Sequence, residues 1–292
     1  MRAHPADYQL VAPGTLPAVL SLLAQEPGAC LPIAGGTDIM VQCAAGKLPS
    51  RNLVSIWNLP ELRRIEVYSD EIQVGAGSTY TDLRESEIVS REFSLLSMAA
   101  SWTGGIANQN RGTIGGNIVN ASPAADSLPA LLVYDAELIL ASTRGERRVP
   151  YSNFHVDYRE TRLAADELIR AVCLPRRFSE YYLHARKVAA RKAQAIAKVC
   201  LAALSRVENG VVQDIRLAMG SVAPVPLRLS ATEQVIRRKR IDSELIELAS
   251  KTAAGEIRPI DDIRSTARYR SAVAGNLVSE FLQKISVAGT RV

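Results

Sequence analysis

Two glycine pairs, each set in a polar turn, have the residue types and spacing best suited to chemistry in this sequence. The first is Ala34-Gly35-Gly36-Thr37-Asp38 and the second is Thr113-Ile114-Gly115-Gly116-Asn117; we call them the first and second glycine hooks. Glycine permits a sharp turn and a close approach to a ligand, and successive N–H groups in such a turn form an anion-binding concavity. The two hooks predict a site that holds the two phosphates of a dinucleotide from two sides.

Ordinary tight turns are the alternative explanation of each glycine pair, but Asn120 and Asp126 follow the second hook and favour a ligand site. The common phosphate-binding motifs are absent from the sequence. The nearest match to the Rossmann glycine pattern runs from Gly75 to Tyr80, and Tyr80 stands where the third glycine is needed for close helix packing. No Gly-Lys-Ser or Gly-Lys-Thr is present. We therefore expect the dinucleotide to be bound by a different fold.

The elements that must position the hooks are readable from hydrophobic periodicity and turn residues. A short apolar run, 29–34, leads into the first hook and predicts a buried strand. The predicted elements up to Pro175 are a helix at 15–26, strands at 29–34 and 52–56, a hairpin at 64–75, helices at 81–86 and 93–102, a hairpin at 137–149 and a strand at 167–174.

The pattern changes after Pro175-Arg176-Arg177, where we place a domain boundary. Three strands are predicted at 181–188, 196–207 and 211–219, with Asn209-Gly210 as a hairpin turn, and three helices at 230–240, 242–254 and 265–284. Strands followed by helices are typical of an α+β domain.

Composition narrows the class of protein. The chain has 292 residues, 47% of them hydrophobic, and a net charge of +5, which is typical of a globular protein. The basic run Arg237–Arg240 has no interleaved aromatic residues, which favours a solvated helix face over nucleic-acid binding. No apolar stretch is long enough to span a membrane, and the N-terminus has no apolar signal core, so we expect a cytoplasmic protein.

Cysteine and histidine spacing argues against a metal site on this chain. None of the four cysteines forms a Cys-x-x-Cys pair, which excludes the usual zinc and iron–sulfur spacings and favours buried free thiols. His4, His155 and His184 are far apart in the sequence. There is no Gly-x-Ser-x-Gly elbow of a hydrolase, and we nominate no acid–base catalytic residue.

Three segments resemble a known family. They are PIAGGTDIM at 32–40, NRGTIGGNIVNASPAADSLPALL at 110–132 and ARKVAARKAQAIAKV at 185–199, and Arg-Tyr-Arg at 268–270 opens the last predicted helix. The chain resembles, over nearly its whole length, the FAD-binding (medium) subunit of the molybdenum hydroxylases, the xanthine dehydrogenase and carbon monoxide dehydrogenase family. The resemblance implies an α+β fold: a two-subdomain FAD-binding domain of the vanillyl-alcohol-oxidase type at 1–176, split near 57, and a C-terminal domain of three strands and three helices at 177–292.

The resemblance also implies which residues contact FAD. The first hook and its flanks would hold the pyrophosphate and lie towards the ribityl chain, and the second hook would approach the pyrophosphate again. Lys187 would reach the flavin, and Ile169 would pack against its ring. The implied cofactor-binding residues are Pro32, Ile33, Ala34, Gly35, Gly36, Thr37, Asp38, Ile39, Thr113, Ile114, Gly115, Gly116, Asn117, Asn120, Asp126, Ile169 and Lys187. Thr103 stands where some relatives have an aromatic residue near the adenine.

The function implied by the resemblance is electron transfer. Substrate would be oxidised at a molybdenum cofactor on a large partner subunit, and electrons would pass through two [2Fe-2S] clusters of a small subunit to FAD on this chain. NAD⁺ or another acceptor would then receive them, in a dimer of heterotrimers. We expect the segment Ser101–Arg111 to lie near the face that receives electrons. Two alternatives are a stand-alone FAD-dependent oxidoreductase of the same wider fold and a nucleotide-binding protein without redox activity.

Overall fold

A computed structural model describes residues 4–191 and 194–288 of the chain. Met1 to Ala3, part of the N-terminus used above to argue against a signal sequence, lie outside the described residues, as do Lys192 and Ala193 of the third motif. The described strands and helices confirm the expected mixed α+β class.

The first part of the chain is a small parallel sheet with helical crossovers. Its elements are β1 (Gln9–Val11), α1 (Leu16–Gln25), β2 (Cys30–Ile33), α2 (Ile39–Ala44) and β3 (Asn52–Ser55). The strand order is β1-β3-β2, with both pairs parallel. Thr15 caps α1 by accepting a hydrogen bond from the N–H of Ala18. The first hook lies at the carboxyl end of β2, where parallel sheets commonly bind ligands.

A five-stranded antiparallel sheet forms the centre of the chain, in the order β4-β5-β10-β6-β7. Six short helices cover it and enclose the largest hydrophobic cluster, which includes Tyr134, Phe93 and Phe154. The elements are β4 (Ile65–Val67), β5 (Glu71–Gly75), α3 (Tyr80–Glu85), α4 (Glu87–Glu92), α5 (Ser94–Trp102), α6 (Ile106–Gln109), α7 (Ile114–Asn120), α8 (Leu128–Val133), β6 (Glu137–Ser142), β7 (Gly145–Pro150), β8 (His155–Asp157), β9 (Glu160–Thr161) and β10 (Leu168–Pro175). Within the part of the chain that the structure describes, strands β8 and β9 pair with each other and with no further strand.

The last part is a second antiparallel sheet followed by three helices. Its elements are β11 (Tyr182–Val188), β12 (Val199–Glu208), β13 (Val211–Gly220), β14 (Leu227–Arg228), α9 (Ser230–Ile236), α10 (Ser243–Glu256) and α11 (Ala267–Ala288). Alternate residues of one strand point to opposite faces. Ala202 and Leu204 therefore join the central core, while Leu201 and Ala203 join the core beneath the last three helices. The sheet thus links the two cores.

The structure contains elements that were not predicted from the sequence, among them β1, α2, α6 and α8, and it corrects three further expectations. A fourth, two-residue strand, β14, extends the C-terminal sheet beyond the three expected strands. The second hook is not a free loop, because its residues form the first turns of α7. The basic run Arg237–Arg240 is solvent-exposed as expected but follows the end of α9, so it does not form a helix face.

Arg270 gives the Arg-Tyr-Arg segment, in the first turn of α11, a structural role. Its guanidinium is buried and donates hydrogen bonds to the carbonyl oxygens of Lys198 and Ser221 and to the carboxylate of Asp262. A buried cation needs such partners to offset the loss of hydration. The segment therefore anchors the last helix to the end of the β11–β14 sheet. Within the described residues, no helix is both long and apolar enough to cross a membrane.

Candidate functional site

The first hook offers backbone donors. Its residues connect β2 to α2, and Gly36 has a φ of +77°, a conformation that residues with a side chain rarely adopt. Among the described residues, the N–H groups of Gly35, Gly36, Thr37 and Asp38 donate to no acceptor, whereas the carbonyl of Gly36 accepts from Met40. Successive free N–H groups in a turn are suited to bind an anion.

The second hook uses most of its backbone donors within the protein. Thr113 precedes α7, and its hydroxyl accepts a hydrogen bond from the N–H of Gly116 at 3.1 Å. The N–H of Gly115 donates to Ala76 and that of Asn117 to Thr113. Among the described residues of this hook, the Thr113 N–H alone donates to no acceptor, so most donors left for a phosphate are in the first hook.

The stretch Gly75–Tyr80, which does not match the Rossmann pattern, packs against the second hook. It begins at the end of β5 and lies antiparallel to the second hook, with Thr79 opposite Thr113. The N–H of Tyr80 donates to Gly112, and the carbonyl of Ser78 accepts from Ile114. A Cβ on Gly115 would lie 2.6 Å from the Cβ of Ala76. The glycines following the strand were the signal for this close backbone packing.

The first hook contacts the chain just before the second hook. A Cβ on Gly35 would lie well within 3 Å of the carbonyl group of Arg111. The Arg111 side chain reaches back to the Gly35 carbonyl at 3.4 Å, and its guanidinium stacks 4.0 Å from the ring centroid of Trp57. Arg111 therefore connects the two hooks. Reversing its charge would disturb them, so such a variant would not test whether Ser101–Arg111 lies near the face that receives electrons.

Two predicted site residues that are 61 positions apart form a buried ion pair. Lys187 Nζ lies 2.6 Å from Asp126 Oδ2, and the two side chains are 6% and 8% exposed. The same ammonium donates to the carbonyl of Trp102 at 3.0 Å. Burial raises the pKa of Asp126 to about 6, against the pull of the neighbouring Lys187. The structure thus places one end of β11 against the loop that follows α7.

The other predicted residues after the second hook differ in where the structure places them. The amide oxygen of Asn117 accepts a hydrogen bond from the hydroxyl of Ser127, next to Asp126. Asn120 is the last residue of α7 and is partly exposed. Ile169 is different: it is 4% exposed and lies in the central core with Ile114 of α7, beside an irregularity in the pairing of β10. Its contact with the flavin ring stays a prediction.

His155 contacts α7 near its C-terminal end, away from the second hook. Its Nε2 lies 2.7 Å from the carbonyl oxygen of Ile118, and its Nδ1 lies 3.3 Å from the hydroxyl of Tyr151. Nε2 must carry the proton to donate to the carbonyl, which leaves Nδ1 to accept from Tyr151. Burial lowers the pKa of His155, opposed by the bond to Ile118. The imidazole is therefore a neutral support for the helix that carries the second hook.

We expect His155→Gln to lower stability more at pH 7.5 than at pH 5. The depressed pKa means that the unfolded chain binds the proton more readily below about 6.5, so the contribution of His155 is present above that pH and lost as the pH falls. The loss at pH 7.5 should be about 1 kcal/mol, the worth of a buried hydrogen bond. Urea denaturation at the two pH values measures it. Parallel losses at both would contradict the assigned neutral imidazole.

The described residues contain no group of three or more histidine, cysteine or acidic side chains able to hold a metal ion. A cavity of about 430 Å³ lies between Glu71, Asp135 and Arg177, and no residue of either hook lines it. Neither observation competes with the hooks as the candidate site.

Comparison with known proteins accords with this geometry. Residues 6–177 match the family described as "FAD binding domain in molybdopterin dehydrogenase", and residues 184–285 match "CO dehydrogenase flavoprotein C-terminal domain". The chain is 33% identical over 290 residues to the xanthine dehydrogenase FAD-binding subunit of Escherichia coli O157:H7, covering 98% of each chain. It is 28% identical over 278 residues to the carbon monoxide dehydrogenase medium chain of Hydrogenophaga pseudoflava, covering 95% and 96%.

A solved structure of carbon monoxide dehydrogenase from Hydrogenophaga pseudoflava, in a form lacking the Mo-pyranopterin moiety of its cofactor, matches with a TM-score of 0.90 at 28% identity, covering 94% of this chain and 95% of the other. The family matches include both hooks, Asp126 and Lys187. The chain therefore belongs to the family of FAD-binding (medium) subunits of molybdenum hydroxylases of the xanthine dehydrogenase and carbon monoxide dehydrogenase type.

Proposed function

We propose that this chain carries electrons from the [2Fe-2S] clusters of a small partner subunit to NAD⁺ or another acceptor, with FAD bound between the two hooks. Substrate oxidation takes place at the molybdenum cofactor of a large partner subunit. The observation that carries the proposal is the row of four free N–H groups in the first hook, held against the segment that leads into the second.

The residues present fit FAD. The free donors of the first hook suit a pyrophosphate, and a buried acceptor, Asp126 Oδ1, has no partner among the described residues. A buried acceptor without a protein partner is available to a bound ligand or water. The same seventeen residues that the family resemblance implies, from Pro32 to Lys187, are the ones we propose to hold the cofactor.

When bound, FAD supplies a flavin that accepts electrons singly and releases two as a hydride. The protein itself contributes the position of the cofactor and the charges around it. The first hook would hold the pyrophosphate, in the middle of the cofactor, through backbone donors. Lys187 lies in a region almost closed to water, and with the flavin ring beside it the ammonium would stabilise negative charge on the reduced ring. Asp126 fixes the lysine in place.

The assembly that we propose is a dimer of heterotrimers in the cytoplasm. The cysteines Cys30, Cys43, Cys173 and Cys200 are all free thiols, which accords with a reducing compartment. The net charge of +5 favours an acidic partner face.

Purification and reconstitution test the proposal. We expect the purified chain to be yellow with a flavin absorption spectrum, to turn over no substrate alone, and to become reducible by substrate when the iron–sulfur and molybdenum subunits are added. Turnover by the chain alone would instead support a stand-alone FAD-dependent oxidoreductase. A colourless chain that gains no flavin with added FAD would support a nucleotide-binding protein without redox activity.

A further inference from the structure

Trp57 lies at the same edge of the small parallel sheet as the first hook. Strands β2 and β3 are parallel neighbours, with Ile33 paired to Ser55, so their carboxyl ends lie side by side. The first hook follows β2 there, and Trp57 follows β3 by two residues. The pairing of the two strands therefore brings an aromatic ring to the edge at which parallel sheets commonly bind ligands.

Arg111 reaches this edge from the chain just before the second hook. Its N–H donates to the carbonyl of Asn108 at 3.2 Å, which fixes the backbone that carries it. Its carbonyl group lies against Gly35, where any Cβ would overlap it. Its Nε donates to the Gly35 carbonyl at 3.4 Å, and its guanidinium stacks 4.0 Å from the ring centroid of Trp57. The backbone and the side chain of Arg111 thus both hold Gly35.

The bond to the Gly35 carbonyl fixes the direction of the next N–H group. Throughout the described ranges, 4–191 and 194–288, no peptide bond is cis, and in a trans peptide the carbonyl and the N–H point in opposite directions. The guanidinium of Arg111 therefore lies on one side of the Gly35–Gly36 peptide, and the Gly36 N–H points to the other side. That N–H is one of the four free donors of the first hook.

The peptide between Gly35 and Gly36 is one that rotates easily, because neither of its flanking residues has a Cβ to limit the rotation. A rotation by half a turn would exchange its two polar groups and put the Gly35 carbonyl where the Gly36 N–H now points. A phosphate binds an N–H donor but is repelled by the partial negative charge of a carbonyl oxygen. The anion site therefore depends on which way this one peptide faces.

We propose that Arg111 and Trp57 are positioning residues that fix the Gly35–Gly36 peptide in the orientation in which the Gly36 N–H faces the pyrophosphate of FAD. Trp57 holds the guanidinium by stacking, and the guanidinium holds the carbonyl. Because the orientation is set before the cofactor arrives, binding loses nothing to a population that faces the wrong way. This inference rests on the proposed FAD site and adds two residues to it that act through the backbone of the hook.

The first test is FAD binding by full-length variants. Arg111→Met keeps an unbranched side chain but has no donor, and we expect it to raise the dissociation constant about threefold to tenfold. Trp57→Leu should raise it by a similar factor, and the double variant by no more than the larger single effect, because both act on the same peptide. Trp57→Phe keeps an aromatic face and should stay within about twofold of wild type.

Two control variants separate this role from charge and from packing. Arg111→Lys keeps the positive charge but has no donor at the position of Nε and no planar group to stack, so it should lose affinity as Arg111→Met does. Arg63→Met removes a guanidinium that also stacks on Trp57, 4.8 Å from the ring centroid, but that pairs with Asp82 instead of the Gly35 carbonyl. It should leave FAD affinity unchanged.

The second test observes the peptide itself, by the amide NMR resonance of Gly36 in the cofactor-free chain. Wild type should give one sharp resonance, and Arg111→Met should give a resonance that is shifted or broadened by exchange between two orientations, while the resonance of Gly14 stays the same in both. A purely structural loss of stability would not single out Gly36.

Unchanged FAD affinity in both Arg111→Met and Trp57→Leu overturns the proposal. Full rescue by Arg111→Lys also overturns it, because attraction between charges would then be sufficient. So does a Gly36 resonance that is identical in wild type and Arg111→Met. A wild-type chain that binds no FAD refutes the proposed function instead, and the Gly36 resonance of the cofactor-free chain still decides whether Arg111 fixes the peptide.

Discussion

A Gly35→Val variant is expected to fold and to lose its FAD, with a dissociation constant raised roughly a hundredfold. Gly35 has the tightest surroundings of the glycines in the two hooks, because any Cβ there would overlap the carbonyl group of Arg111. That neighbour is backbone and cannot rotate away. The first hook would have to move from the segment that leads into the second, and the free donors of Gly35 to Asp38 would move with it.

Gly36 and Gly116 should tolerate substitution better than Gly35. Gly36 is limited by its positive φ, with the side chain of Met40 as its nearest neighbour, at 3.3 Å. Gly116 is exposed, and a Cβ there would meet only the Thr113 hydroxyl at 2.9 Å. Flavin retained per purified chain, measured by absorbance, ranks the three positions.

Gly14→Val is the matched control for Gly35→Val. Gly14 lies in the same small subdomain, and a Cβ there would have nothing within 4 Å. It should keep stoichiometric flavin. If Gly35→Val keeps it too, the pyrophosphate is not held at this junction and the assignment of the first hook is wrong.

The sequence was informative where local pattern decides structure. The apolar run 29–34 predicted β2, and the alternation on either side of Ser69-Asp70 predicted the β4–β5 hairpin; both are present, although β2 is half-buried and not buried as expected. Side chains that alternate between the two faces of a strand are the local signal for such elements. The position of the first hook follows directly, because a strand that ends before two glycines must turn there.

Contacts between residues far apart in the sequence could not be predicted from local pattern. Lys187 alone is best explained as a surface residue of a strand, and only the packing of β11 against the loop after α7 shows that it is buried on Asp126. Likewise, the partner of the stretch Gly75–Tyr80 is backbone 32 to 39 residues later, which the failed Rossmann pattern does not indicate. Hydrophobic periodicity predicts which face of a helix or strand is buried, but it does not predict which residues that face contacts.

The buried pair gives the second large prediction. Lys187→Met should destabilise the cofactor-free chain by about 3 kcal/mol or more at pH 7.5, because removing one partner leaves the other charge buried without compensation. The pKa of Asp126 is already raised to about 6 with the lysine present, and its loss would raise it further. An acid whose pKa is higher folded than unfolded favours the folded state as it protonates. The deficit should therefore shrink as the pH is lowered from 7.5 to 5.

Two comparisons isolate the buried charge as the cause. Adding Asp126→Asn to Lys187→Met removes the uncompensated carboxylate and should restore most of the stability at pH 7.5. Lys251→Met breaks an ion pair with Glu247 whose side chains are 72% and 68% exposed, and it should have no measurable effect. A deficit that does not change with pH, or that the second substitution fails to relieve, would mean that Lys187 acts through its packed stem alone. In that case its charge would not bear on Asp126, and the role proposed for the pair beside the flavin would lose its basis.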